Sequence, residues 1–527
     1  MTPRRDIERL ESIRIRLQEE LDGSRTAAER NRLGQFATPR MLARDMLRYA
    51  RLLWRARPDH VRFLDPAVGT GSFFSALVEA FPGAALESAV GIEVDCQYAE
   101  TARSLWAGLG LQVVTGDFTA LPVPSTESLA NLVVANPPYV RHHHLSPARK
   151  RELKALSAEV LGAQMNGLAG LYCYFILLAH RWLAQGGIGV WLIPSEFMDV
   201  NYGSAVKRYL TDKVTLIRVH RFDPRDVQFE DALVSSSIVV FRKAPPRENH
   251  KALFSSGGSL LSPGRRVRIS LTRLRCERRW SNLDTDSGGG GSADAVANLA
   301  SLFTIRRGIA TGANSFFILK RDQAERLGID RCFLKPVLPS PRHMHDTIID
   351  SDEDGYPLIE KQLALIDSGL PEHEIKMVCP PLYEYLQSGK QAGIRDSYLI
   401  AKRTPWYEQE KRPPAPFLCT YMGRSTGGRN PFRFIWNRSK ATATNVYLLL
   451  YPKGDLAAAL SRDPTLAKAV FEALQGITAE EFLGQCRVYG GGLHKAEPAE
   501  LGRVPATRLV NTLGLDPPRQ PRQPALF

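Results

Sequence analysis

From residue 61 to about 243, short apolar runs alternate with segments of helical length. The runs are VRFLD (61–65), AVGIEV (89–94), LQVVTGD (111–117), NLVVANP (131–137), IGVWLIP (188–194), TLIRVHRF (215–222) and SSSIVVFRK (235–243). Strand and helix in alternation predict a doubly wound, mostly parallel sheet with helices on its faces. The last two runs have no helix-length crossover between them, which predicts an antiparallel pair at the sheet edge. Residues 1–30 set Arg and Glu at i,i+4 spacings and predict one helix, mostly exposed.

After residue 261 the pattern changes. SPGRRVRISLTRLRCERRW (262–280) is dense in arginine, and DTDSGGGGSADA (284–295) has the composition of a linker or surface loop. The remaining residues are Pro-rich and mixed, without the alternation. Four parts are predicted: an N-terminal helical segment (1–33), an α/β domain (34–261), an Arg-rich bridge with a Gly/Ser linker (262–295), and a C-terminal mixed α+β domain (296–527). A chain of 527 residues is too long for one ordinary core, which agrees with this division.

Charge narrows the class of partner. A net charge of +14 favours a polyanion, nucleic acid before an anionic membrane surface. No apolar run reaches the roughly 18 residues of a spanning helix, and the charged N-terminus is unlike a signal peptide. The seven cysteines are scattered and never form a C-x-x-C pair. That argues against a disulfide framework or structural zinc and for a reducing cytoplasm.

Candidate chemistry sits at the strand ends. Asp65-Pro66-Ala67-Val68-Gly69-Thr70-Gly71-Ser72 closes the first strand and opens a helix. Gly69 and Gly71 let the backbone pass close beneath a ligand, and free N–H groups at the helix start add donors. Glu93 ends the second strand, where a carboxylate can accept both hydroxyls of a ribose. Asp117 ends the third, placed to take an adenine amine proton while Phe118 covers the base. Taken singly, Glu93 has an alternative role as a helix-start acid and Phe118 as a core residue. Taken together they predict a nucleoside site. Without a P-loop lysine or G-x-G-x-x-G, a triphosphate or dinucleotide is disfavoured, and S-adenosylmethionine fits.

The fourth strand ends in Asn136-Pro137-Pro138-Tyr139. An exocyclic amine of a base is a poor nucleophile because its lone pair is delocalised into the ring. Two neutral acceptors aimed at its N–H bonds, the Asn136 side-chain oxygen and the Pro137 carbonyl, would draw it toward tetrahedral geometry. The prolines fix φ and offer no competing N–H, and Tyr139 supplies a face for stacking. His142, His143 and His144 follow; three consecutive loop residues make a poor metal site, and a basic loop beside nucleic acid or a solvated loop remain as readings.

With these residues assembled, the chain resembles the class I S-adenosylmethionine-dependent methyltransferases. Within them it is similar to gamma-class DNA adenine-N6 methyltransferases, the modification methylases of type II restriction–modification systems. The likeness rests on the order Gly34-Gln35-Phe36-Ala37-Thr38-Pro39, DPAVGTGS, Glu93, Asp117-Phe118, NPPY, and on LYCYFILLAHRWLAQGGIGVWLIPSEF beyond it. In the C-terminal half, GIATGAN (308–314) and YGGGLHKAEP (489–498) match stretches that recur in that group.

The resemblance implies a Rossmann-like seven-stranded sheet followed by a target-recognition domain. It implies cofactor contacts from Thr38, Asp65, Pro66, Gly69, Gly71, Glu93, Asp117 and Phe118, and catalysis by Asn136, Pro137 and Tyr139 without a metal. Thr38 is expected to cap the helix that Pro39 begins. A flipped adenine would lie between Tyr139 and Phe229, for which a buried core role stays open, and Arg141 would contact a phosphate. The expected function is sequence-specific methylation of adenine N6 in double-stranded DNA, protecting it from a cognate restriction endonuclease. A monomer in the bacterial cytoplasm, nucleoid-associated through DNA, is the expected state. The alternatives are a DNA-binding protein on this scaffold without catalysis, or transfer to cytosine N4 or RNA.

Overall fold

The computed structural model describes residues 4–54, 60–82, 86–223, 235–283, 297–424, 430–483, 485–489 and 493–514. The chain divides into two compact units, with the boundary in the sequence between Gly289 and Gly290.

The first unit is built on β1 (Arg62–Asp65), β2 (Ser88–Glu93), β3 (Leu111–Thr115), β4 (Ala130–Ala135), β5 (Leu183–Pro194), β6 (Thr215–Arg221), β7 (Ser236–Arg242), β8 (Lys251–Gly258) and β9 (Pro263–Ser270). They form one nine-stranded sheet in the order β3-β2-β1-β4-β5-β7-β6-β8-β9. The first five strands are parallel, and β7 runs antiparallel between β5 and β6. The apolar runs of β4 and β5 are buried on both faces because they lie mid-sheet. The helices are α1 (Arg4–Gly23), α2 (Ala27–Leu33), α3 (Arg40–Leu53), α4 (Ser72–Ala80), α5 (Cys96–Trp106), α6 (Pro147–Leu161), α7 (Leu171–Trp182), α8 (Ser204–Asp212) and α9 (Leu271–Cys276). Strand order reverses direction between β1 and β4. In a doubly wound sheet that reversal opens a crevice beyond the carboxyl ends of the strands.

Four expectations change. The N-terminus is two helices, not one, and it is not mostly exposed: Glu11 and Arg14 form a 2.8 Å ion pair with both side chains about 3% exposed. The β6–β7 pair is antiparallel as predicted but is not the edge, because β8 joins β6 and β9 joins β8. The sheet therefore has nine strands rather than seven. Residues 262–280 are not a bridge: β9 and α9 belong to the first unit, and Trp280 is fully buried in its core. The arginines misled because an edge strand alternates. Arg266 and Arg268 are exposed while Ile269 is buried beside them. The Gly/Ser stretch lies outside the described residues.

The second unit carries a five-stranded sheet in the order Phe303–Arg307, Tyr447–Pro452, Phe417–Thr420, Phe434–Asn437, Ile348–Ile349. A four-stranded sheet, Ile318–Lys320, Leu363–Ile366, Leu334–Leu338 and Thr442–Ala443, accompanies it, with helices on both. Between the strands Phe303–Arg307 and Ile318–Lys320, the GIATGAN stretch leads into a short helix, Asn314–Phe317. Thr311 donates to Asn314 Oδ1 at 2.5 Å, and Arg403 donates to the carbonyls of Ala310 and Thr311. Lys495 pairs with Glu497 at 3.0 Å. Thr311, Asn314 and Arg403 thus hold the GIATGAN turn.

Candidate cofactor and amine site

A cavity of about 750 Å³ opens at the carboxyl ends of β1 to β4, within the first unit. The turn after β1 forms its floor. Gly69 has φ +54° and Gly71 φ +93°, in the region that side chains disfavour. At Gly71 space adds a second constraint: a Cβ there would sit 2.4 Å from the indole nitrogen of Trp106. That nitrogen donates to the Thr70 carbonyl at 2.8 Å, so the turn is clamped from behind.

Glu93 faces the turn. Its two oxygens accept from the N–H groups of Gly69 and Asp95, each at 3.0 Å. A carboxylate offers about four acceptor positions, so each oxygen keeps one for a ligand hydroxyl. Burial pushes the Glu93 pKa up, while the two N–H groups pull it back. Asp117 closes the β3 end. Its Oδ1 accepts from the Thr119 N–H and hydroxyl at 2.9 and 2.7 Å, and its Oδ2 from Arg149 at 2.5 Å. Phe118 is packed against Phe175 and Trp182 at 5.2 and 5.4 Å, and it forms part of the cavity wall.

Asp65 lies beneath the turn and is fully buried, off the cavity wall. Oδ1 accepts from the Ala67 N–H at 3.1 Å, and Oδ2 has no partner among the described residues. Burial, with the charge of Glu93 adding to it, pushes this carboxyl up to about 8. A carboxyl raised in the fold contributes stability fully present below its unfolded pKa, near 4, and lost as pH rises through the folded value. Asp65→Asn should therefore gain thermal stability relative to the parent as pH climbs from 5 to 8, then level off. A parent–variant difference in melting temperature that stays flat over this window would contradict a neutral Asp65.

Asn136, the candidate amine holder, stands at the end of β4. Its Nδ2 donates to the Phe36 carbonyl at 3.0 Å and to the Thr38 hydroxyl at 3.2 Å. A carbonyl can only accept, so this pairing fixes the amide orientation and leaves Oδ1 as the free acceptor. Oδ1 is buried and has no partner among the described residues. An unsatisfied buried acceptor costs about 1–3 kcal/mol, which a donor arriving in the cavity would recover.

Tyr139 is held rather than open. Its N–H donates to the Gly34 carbonyl at 3.1 Å, and its ring packs against Phe36 and Tyr172 at 5.5 and 6.4 Å. Its hydroxyl donates to the Leu192 carbonyl at 3.3 Å, and burial raises its pKa. Gly34 has φ +67°, and a Cβ there would sit 2.4 Å from the Tyr139 nitrogen.

Thr38, Pro66, Gly69, Glu93, Asp117, Phe118 and Asn136 thus share one wall, while Asp65, Gly71, Pro137 and Tyr139 stand behind it. Thr38 is not the cap of α3: that flanking position is Pro39, and Thr38 instead serves Asn136. Arg141 is exposed and off the wall. Phe229 lies outside the described residues.

Several wall residues escaped the sequence reading. Gln18 and Asp22 come from α1, Asp95 and Tyr98 from the start of α5, and His144 from the histidine turn. Thr70 donates to Gln18 Oε1 at 2.6 Å, and Tyr98 donates to Asp22 at 2.6 Å. Arg149, on α6, had no motif to announce it. The one available signal was Asp95, two residues past Glu93 in IEVD and placed as the cap of α5, whose Gln97 N–H it accepts.

Residues 126–228 match the Eco57I restriction-modification methylase family, and residues 291–516 match the C-terminal domain of the type II methyltransferase M.Eco57I. The chain is 28% identical to the type II methyltransferase M.XamI of Xanthomonas campestris pv. amaranthicola over 91% of its length and 86% of that protein's. It is 25% identical to M.AccI of Acinetobacter calcoaceticus over 90% and 85%. The fold is shared with the type IIL restriction-modification enzyme MmeI, solved in complex with DNA, at a TM-score of 0.57 and 12% identity, covering 93% of this chain and 70% of that one. The sheet has the class I methyltransferase fold, followed by a mixed α+β unit, and the chain belongs to the Eco57I-type restriction-modification methylases.

Proposed function

We propose that the protein methylates the N6 amine of adenine in double-stranded DNA, with S-adenosylmethionine as methyl donor. The observation that carries this reading is Asn136: its Oδ1 is oriented by Phe36 and Thr38 yet has no donor of its own among the described residues. The cofactor's sulfonium supplies an already activated methyl group. Glu93 binds the ribose hydroxyls with the acceptor positions that Gly69 and Asp95 leave free. Asp117, anchored by Arg149, accepts from the cofactor's adenine amine, and Phe118 walls the ring.

At the target, Asn136 Oδ1 and the Pro137 carbonyl accept the two N–H bonds of the substrate amine and turn its lone pair toward the methyl group. The nitrogen gains the methyl as the sulfur–methyl bond breaks, and one N–H proton is then lost to water. Such alignment is worth up to roughly 7–11 kcal/mol of barrier. Adenine in a duplex cannot reach this wall from within the stack, so it is extruded at a cost of a few kcal/mol. The family resemblance assigns its stacking faces to Tyr139, whose ring packs behind this wall, and to Phe229, which lies outside the described residues. Phosphate contacts come from Arg141 and from the exposed Arg266 and Arg268 of β9, and would make binding salt-dependent. The second unit selects the sequence, and a cognate endonuclease is the functional partner of a monomeric enzyme in the bacterial cytoplasm.

Labelled methyl transfer from S-adenosylmethionine to unmodified DNA, followed by nucleoside analysis, tests the assignment. N6-methyladenine is the expected product. N4-methylcytosine, or transfer only to RNA, would replace the adenine reading. No incorporation by a protein shown to bind the cofactor would favour a DNA-binding protein without catalysis.

A further inference from the structure

One segment touches both the cofactor wall and the amine wall. It begins on α1, where Gln18 accepts from Thr70 in the floor of the cavity and Asp22 accepts from Tyr98. It turns at Arg25 and runs through α2 to Gly34, whose carbonyl holds the Tyr139 N–H, and Phe36, whose carbonyl holds the Asn136 amide. Arg30 pins the corner by donating to the carbonyls of Asp22 and Arg25 at 2.6 and 2.7 Å.

Arg25 is the tie between the two walls. Its guanidinium donates to Asp95 Oδ2 at 2.5 Å and to Gln35 Oε1 at 2.6 Å, and it lies over the Tyr98 ring at 5.3 Å. Asp95 is also the residue whose N–H fixes one Glu93 oxygen. Gln35 is the residue between the two carbonyls that hold the NPPY strand end. The pair is mostly shielded, with side chains 20% and 17% exposed. A planar fork with two acceptors on different elements transmits a shift in either one to the other.

We propose that residues 18–36 act as a strap that couples cofactor occupancy to the set of the target-amine site, with Arg25 as its positioning residue. Ligand seated on Glu93 fixes Asp95, Arg25 then fixes Gln35, and the carbonyls of Gly34 and Phe36 fix Tyr139 and the Asn136 amide. Cofactor and target base therefore bind with positive cooperativity, each raising the affinity of the other by the same factor. The inference rests on the reading of Asn136 as the holder of the target amine.

The test uses the full-length protein and a duplex bearing its methylation site. Duplex affinity is measured with and without S-adenosylhomocysteine for the parent, Arg25→Leu, Asp95→Asn and the double variant. Asn at 95 keeps the α5 cap through its oxygen while removing the charge that Arg25 holds, so this variant carries the test if Arg25→Leu fails to fold. The parent should show an enhancement of at least about fivefold. Either single variant should reduce it to about twofold or less, and the double variant should be no worse than the singles. An enhancement unchanged in the folded variants, or absent from the parent, overturns the strap. A parent that binds cofactor but never methylates DNA would instead overturn the proposed function.

Discussion

Asn136→Ala is expected to lower kcat by about 10³-fold, the scale seen when one preorganised polar group is removed from a reacting centre. Affinity for S-adenosylhomocysteine should stay near the parent value. The reason lies in the division of contacts. The amide touches Phe36 and Thr38 through Nδ2, and neither Glu93 nor Asp117 depends on it. Loss of Oδ1 therefore removes one of the two acceptors that orient the amine and nothing that holds the nucleoside. Labelled methyl transfer together with calorimetric titration of the product cofactor separates the two quantities. A variant that loses cofactor affinity in step with turnover would place Asn136 in the cofactor site instead.

Glu93→Ala should fail in the complementary way. A hydrogen bond to a charged group is worth about 1.5–3 kcal/mol, and two ribose hydroxyls are at stake. Cofactor affinity should therefore fall at least about 10²-fold. The loss exceeds the direct contacts, because the N–H groups of Gly69 and Asp95 would also lose their acceptor and the turn its brace. Glu93→Gln should fall between parent and alanine, since one of those two N–H groups would face the amide's own donors. The same calorimetric titration reads it. Retained affinity in Glu93→Ala would mean that the ribose is held elsewhere.

The part of the proposed site that was legible in the sequence has local chemistry. Each acid stands at the end of an apolar run, and NPPY fixes its own backbone. Those signals needed only periodicity and two prolines. What sequence could not show depends on contacts over long separations. Arg14, Gln18 and Asp22 look like an ordinary charged helix, and only the folded chain brings them to Thr70 and Tyr98, more than 50 residues away. Arg149 reaches Asp117 from a helix 32 residues later. Thr38 illustrates the opposite error: a Thr-Pro pair before a helix has the composition of a cap, and the hydroxyl was recruited by a distant amide instead. In the C-terminal half, short strands pair across many residues, so no periodic stretch was long enough to register.

The position of β9 has a consequence for making chimaeras. A C-terminal half exchanged between relatives at residue 262 would carry away the edge strand, α9 and Trp280 from the recipient. The donor fragment would arrive with an orphan strand, and the recipient would be left with β8 as a bare edge open to pairing with other chains. A junction after Leu283 keeps the nine strands with the unit they complete, and leaves the arginines of β9 with that first unit.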